Sequence, residues 1–155
     1  MRDHDFEPFM AQQKFLSQWI REPTGIFWEW DAGDGVVGSH ARILEEQRGW
    51  RGVCVEARRV AAARLSANRR TAQVLRGVDP AEARKMGPPE SPNLVTCRRP
   101  ESQMALLEAM GEWLQPRYLV WQARDAIPSI WRRLCRLGYR LENFIHDDEY
   151  YRKLE

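Results

Sequence analysis

The sequence predicts an α/β protein, a mostly parallel sheet with helices on both faces, and three observations carry that expectation. Short apolar runs alternate with stretches of helical period, a glycine-rich loop follows the first run, and an acidic residue closes the second. Parallel strands need a crossover that a helix usually supplies, so the alternation points to such a sheet. The 155 residues suffice for one domain and are too few for a cofactor domain plus a separate catalytic one. Residues 1–155 are read as that domain, with 1–24 as an N-terminal helical segment.

Strands are expected at Ile26–Trp30, Gly52–Glu56, Ala72–Leu75, Asn93–Cys97, Tyr118–Gln122 and Tyr139–Phe144, several of them rich in β-branched or aromatic residues. Between them, Ser39–Arg48 opens on a residue suited to a helix N-cap, and Val60–Arg69 is rich in Ala and Arg. Glu101–Leu114 places Met104, Leu107 and Gly111 on one helix face. Pro128 suits the first turn of a further helix, in which Ile127, Ile130, Leu134 and Leu137 recur before Gly138 ends it. The segment Arg76–Pro92, crowded with Pro80, Gly87, Pro88, Pro89 and Pro92, is expected to be a loop over one end of the sheet. Trp28 and Trp30 flank Glu29 on the other strand face and are assigned to packing.

With 24 Lys and Arg against 22 Asp and Glu, the formal charge of +2 gives no reason to expect a nucleic-acid partner. Cys54, Cys97 and Cys135 are odd in number and lack C-x-x-C spacing, so neither a disulfide framework nor a metal site is indicated; they are expected to be buried thiols. The N-terminus lacks the apolar run of a signal peptide, and nowhere do eighteen apolar residues follow one another. A soluble, cytoplasmic protein without a membrane partner is expected.

Gly33-Asp34-Gly35-Val36-Val37-Gly38 spells a dinucleotide-loop fingerprint, yet Glu29, Asp31 and Asp34 crowd it. Ligands of an open parallel sheet sit beyond the carboxyl ends of its strands. A pyrophosphate there would meet like charges costing roughly 4 kcal/mol each at about 4 Å and an effective dielectric near 20. S-adenosylmethionine carries no phosphate, and its sulfonium and ammonium groups would welcome carboxylates. The expected cofactor is therefore S-adenosylmethionine, with NAD less favoured. Glu56, closing Val53-Cys54-Val55 some twenty residues later, can accept from both ribose hydroxyls, a spacing that NAD and S-adenosylmethionine sites share. Its plainer reading is an exposed carboxylate at a strand end.

Ser17-Gln18, Gly25-Ile-Phe-Trp-Glu-Trp-Asp-Ala-Gly-Asp-Gly35, Gly38-Ser39, Leu44-Glu45, Gly49-Trp50-Arg51-Gly52, Val55-Glu56 and Asn68-Arg69 together resemble the FkbM family of S-adenosylmethionine-dependent methyltransferases. That family typically reads S-Q, G-x-F-x-E-I-G-A-N-D-G, G-S-N-T, L-E, G-W-x-G, I-E and N-R, and the match spans the first half of the chain. The resemblance implies a Rossmann-like methyltransferase fold and O-methylation of a hydroxyl on a small molecule or sugar. It places Glu29, Ala32, Asp34, Gly35 and Glu56 along the cofactor. With Asp31, Gly33, Ser39 and Ala57 these make the expected cofactor-binding set.

Three departures from the family pattern stand out. Asp31 replaces a glycine and is expected to crowd the methionine end of the cofactor. The family's D-x-E-G-x-E after a strand has no counterpart in Asn93-Leu-Val-Thr-Cys-Arg-Arg-Pro-Glu101. The short chain is also expected to lack an antiparallel last strand. A second reading follows, a catalytically impaired relative kept as a partner-binding or regulatory subunit, in a homo-oligomer or with another protein.

Methyl transfer to a hydroxyl needs a nearby base, so His40, Asp125, His146 and Asp147 are the residues to weigh, with Asp125 and His146 as the catalytic candidates. No motif marks them. Solvated surface positions for His40 and His146, and a helix N-cap for Asp125, are the plainer readings.

Overall fold

The computed structural model describes residues 3–122 and 128–155. These form, in chain order, α1 (Asp3–Trp19), β1 (Ile26–Trp30), α2 (Arg42–Arg48), β2 (Arg51–Val55), α3 (Arg59–Asn68), β3 (Gln73–Leu75), α4 (Pro80–Met86), β4 (Leu94–Cys97), α5 (Pro100–Glu112), β5 (Tyr118–Gln122), α6 (Pro128–Arg136), β6 (Tyr139–Ile145) and β7 (Asp148–Lys153). The strands make one sheet in the order β3-β2-β1-β4-β5-β7-β6. The pairs from β3 to β5 are parallel, whereas β7 runs antiparallel to both β5 and β6.

The sheet is buried on both faces, which is why its central strands read as continuous apolar runs. Every residue of β1 is buried, alternating between Phe27 in one core and Trp28 and Trp30 in the other. One core gathers Leu16 and Trp19 of α1, Leu44 of α2 and Leu65 of α3 against Phe27, Cys54, Leu94, Val120 and Tyr150. The other packs Ala83 of α4, Leu106, Leu107 and Met110 of α5 and Leu134 of α6 against Trp28, Val53, Val95, Leu119 and Trp121. The architecture is the expected α/β sandwich, three helices to a face.

Four details correct the sequence reading. The antiparallel last strand exists: β7 escaped notice because Asp-Glu-Tyr-Tyr-Arg-Lys is mostly charged and its turn carries no glycine, His146 adopting φ 58° instead. The proline-rich stretch contains α4, started by a reciprocal cap in which Glu82 N–H donates to Asp79 Oδ1 and Asp79 N–H to Glu82 Oε2, both at 2.8 Å. Pro80 takes the first helical position, where its missing N–H costs nothing. On α5 the buried stripe is Gln103, Leu106, Leu107 and Met110, leaving Met104 exposed. Cys54 and Cys97 are buried free thiols, but Cys135 is exposed. No helix among the described residues is long and apolar enough to cross a membrane.

Glu142 of β6 fastens α1 to the hairpin. Trp19 Nε1–H donates to its Oε2 at 2.8 Å, while Arg140 Nη2 and Arg152 Nε donate to Oε1 at 2.8 Å. Burial opposes its charge, but these hydrogen bonds outweigh it and hold the carboxyl at about 2, against an ordinary 4.5. A depressed folded pKa contributes stability that is fully present above the unfolded value and lost as pH falls through the folded one. Glu142→Gln is therefore expected to cost about 1–3 kcal/mol at pH 7. Urea unfolding of the two proteins should converge as pH falls from 4.5 toward 2; equal stability at pH 7 would refute this fastening role.

Candidate functional site: the glycine loop and its cleft

The loop after β1 lies at the carboxyl end of the parallel strands. Ala32 N–H donates to Val55 O at 3.1 Å, tying the loop to β2, and Asn68 Nδ2 donates to Asp34 O at 2.9 Å from the end of α3. Asp34 Oδ1 accepts from Val36 N–H at 2.9 Å and Val37 N–H at 3.0 Å, closing the turn from within. Gly35 is required twice over: its φ is +77°, and a Cβ there would lie 2.5 Å from Leu65 Cδ1 and 2.6 Å from Arg69 Cγ.

Most of the carboxylates that crowd the loop in sequence face inward. Glu29, 1% exposed, accepts at Oε2 from Ser39 Oγ and Arg69 Nη1, each at 2.9 Å, and at Oε1 from His40 N–H at 3.1 Å. Arg69, 3% exposed, also donates through Nη1 to Ser39 Oγ at 2.8 Å and through Nε to Glu45 Oε2 at 2.8 Å. Burial disfavours the guanidinium charge, yet Glu29 and Glu45 outweigh it and its pKa is raised. Asp31, at φ 57°, leaves the loop for α5: its Oδ2 accepts from Arg99 N–H at 2.9 Å and its Oδ1 from Ser102 Oγ at 3.0 Å. This caps an orphan N–H at a helix start from a neighbouring strand.

Glu56 is 1% exposed, not the solvated strand-end carboxylate of the plainer reading. Gly33 N–H donates to its Oε2 at 2.8 Å, and Arg58 donates to Oε1 through its backbone N–H at 3.0 Å and through Nε at 2.9 Å. Burial pushes the carboxyl up, but the hydrogen bonds from Arg58 and Gly33 prevail and hold it below the usual carboxylate range.

A cleft of about 390 Å³ opens beside the loop, lined by Gly33, Asp34, Val37, Arg58, Arg64 and Arg98 among others. A Cβ on Gly33 would lie 3.8 Å from Arg98 Nη1 and 3.9 Å from Arg58 Nη2, so the bare glycine backbone faces the gap between two guanidinium groups. Of the loop acids only Asp34 lines the cleft, opposite three arginines. The electrostatic exclusion of a pyrophosphate is thereby corrected, because Glu29 and Asp31 are spent on internal partners and the cleft presents net positive charge.

Of the expected set, Gly33 and Asp34 line the cleft, Glu56 lies behind Arg58, and Glu29 and Ser39 form the buried support with Arg69. Ala32 and Gly35 are buried, and Ala57 is exposed. His40 is buried, contrary to the surface reading, while His146 is exposed; both line a second pocket of about 260 Å³ with Asp147 and Asp148. Asp125 lies outside the described residues. Sequence reasoning missed Arg58, Arg64, Arg98 and Asp148: no motif marks the arginines, and Asp148 belongs to the unrecognised strand. Among the described residues no cluster of His, Cys, Asp or Glu could hold a metal ion.

Arg69→Met would leave Glu29 and Glu45 buried without their cation, at an expected cost of about 3–5 kcal/mol. Denaturant unfolding should also show part of that loss recovered in Arg69→Met/Glu29→Gln, because the double variant removes one of the stranded charges. An Arg69→Met protein as stable as the parent would show that the network bears no weight.

No protein-family model matches the sequence, and no curated protein does. Solved structures do match the fold. Precorrin-6y C5,15-methyltransferase of Geobacter metallireducens GS-15 is 15% identical, with 92% of this chain and 84% of that one covered at a TM-score of 0.69. Aeropyrum pernix fibrillarin, solved with natively bound S-adenosyl-L-methionine, is 15% identical over 94% of this chain and 74% of its own, with a TM-score of 0.66. A methyltransferase from Pyrococcus furiosus is 13% identical, covering 92% and 80% at 0.65. The chain shares the Rossmann-like methyltransferase fold of these structures.

Proposed function

We propose that the chain is an S-adenosylmethionine-dependent methyltransferase that O-methylates a small-molecule or sugar hydroxyl, as its resemblance to the FkbM family implies. The observation that carries this reading is the reversed β7 between β5 and β6. A dinucleotide-binding sheet repeats a parallel mononucleotide half in the order 3-2-1-4-5-6. Here an antiparallel hairpin stands where the second half would finish, and solved methyltransferases have this fold. The charge of the cleft favours neither ligand; the strand order supports S-adenosylmethionine.

The residues fit the cofactor. Gly33 leaves its backbone open to the cleft, and Glu56 is a buried, ionised acceptor at the end of β2, suited to two ribose hydroxyls once the Arg58 side chain swings aside. The Arg58 side chain is 58% exposed and free to move toward solvent. S-adenosylmethionine supplies an electrophilic methyl group on a sulfonium sulfur. The chain's own part is to hold the loop rigid from beneath through Glu29 and Arg69 and to set acceptor and donor in line.

The arginines after β4, where the family carries acids, together with Arg58 over Glu56, favour a second reading as a partner-binding relative that has lost the cofactor. A ligand titration separates the two. S-adenosylhomocysteine at 100 times its dissociation constant is expected to add about 2.7 kcal/mol and raise Tm, with NAD doing little. Glu56→Gln should weaken the binding roughly ten- to hundredfold by calorimetry with unchanged circular dichroism, since the amide accepts through one oxygen only. A folded wild-type protein that ignores S-adenosylhomocysteine would support the partner-binding reading, and stabilisation by NAD alone would reject both.

A further inference from the structure

The 260 Å³ pocket between the glycine loop and the β6–β7 turn is lined by Gln12, Val37, Gly38, His40, Arg98, Gln122 and the turn residues 146–148. It shares Val37 and Arg98 with the cleft already described, so the two cavities meet across one loop residue and one guanidinium. Inside it, His40 Nε2 lies 2.9 Å from Asp148 Oδ2, both side chains no more than a tenth exposed. Gln12 Nε2 donates to the same carboxylate oxygen at 2.8 Å. The three side chains come from three distant parts of the chain: α1, the loop after β1, and β7.

We propose that this pocket receives the methyl acceptor and that His40, oriented by Asp148, takes the acceptor's hydroxyl proton. The proposal rests on the methyltransferase reading above. A carboxylate at Nε2 fixes the tautomer: Nε2–H donates to Asp148, and the lone pair stays on Nδ1. Nδ1 has no hydrogen bond to the described residues and is not one of the buried polar atoms left without a partner, so it is reachable from the pocket that His40 lines. The residue cannot drift, because its backbone N–H donates to Glu29 and the Tyr150 ring meets the imidazole edge-on with centroids 6.2 Å apart.

In the reaction the acceptor oxygen bonds the methyl carbon as its O–H bond breaks. The proton passes to Nδ1, the electron pair of the broken C–S bond stays on sulfur, and the new imidazolium is neutralised by Asp148. Val37 and Gly38 apart, the described lining is amide, imidazole, guanidinium and carboxylate, a set that can hydrogen-bond several hydroxyl groups at once. The acceptor class is accordingly a small polyhydroxylated molecule.

Long-range ¹H–¹⁵N spectra of histidine-labelled wild-type protein test the dyad without any acceptor. The His40 signals, assigned by elimination against His4→Gln and His146→Gln, should show Nε2 protonated and Nδ1 bare, and Asp148→Asn should redistribute the tautomers. A proton on Nδ1 in the neutral wild-type ring overturns the assignment even if the variants fail to fold. His40→Gln should bind S-adenosylhomocysteine as the parent does, while S-adenosylhomocysteine release from S-adenosylmethionine with a panel of sugars and hydroxy acids falls about a hundredfold or more. Undiminished turnover by folded His40→Gln overturns the base, and binding without turnover of any panel member overturns the acceptor class. Failure of the wild-type protein to bind S-adenosylhomocysteine instead defeats the underlying reading.

Discussion

The site depends on one buried cation. Arg69 sits between Glu29 at the carboxyl half of β1 and Glu45 on α2, and its guanidinium also reaches Gly35 O and Ser39 Oγ on the loop. Removing three ionised groups from water is costly, and the cost is offset only where every charge is paired and hydrogen-bonded, as these are. In return β1, α2, α3 and the glycine loop have one mutual arrangement. Gly35 lets Arg69 pass beneath the loop, and Glu29 holds Ser39 and His40 on its far side. Shape in the loop is thus set from the interior, leaving its outer face for a ligand.

Two departures from the FkbM pattern prove to be the two ends of a single contact. Asp31 replaces a glycine, and the segment after β4 lacks its acids; in the fold, Asp31 reaches across and supplies the carboxylate that segment lacks, accepting from Arg99 N–H and Ser102 Oγ. The Asp31 side chain therefore turns toward α5 and does not line the cleft. Aspartate is among the residues that best tolerate φ near +57°, and the cap repays the residual strain. The exchange leaves Arg98 rather than a carboxylate facing the cleft.

The parallel half of the sheet was legible in the sequence because strands buried on both faces are mostly apolar: Ile26–Trp30 and Tyr118–Gln122 coincide with β1 and β5. The glycine loop was legible from backbone demands that only glycine meets. The direction of a side chain was not. Glu29, Asp31 and Asp34 are alike in sequence, but one is buried under Arg69, one caps α5 and one closes its own turn, and only tertiary neighbours decide among these. β7 was hidden for a related reason. Its Asp148 and Tyr150 are buried by partners on α1 and in the loop after β1, too far away in the chain for any local pattern to announce.

The central claim is that Glu56 is a ribose acceptor held ionised in readiness by Arg58 and the Gly33 N–H. A crystal structure grown with S-adenosylhomocysteine tests it most directly. The account requires the ribose on Glu56, the Arg58 guanidinium displaced from the carboxylate, and the Gly33 N–H still bonded to it. Ligand density elsewhere, or a ligand in the cleft with Arg58 still seated on Glu56, would contradict it.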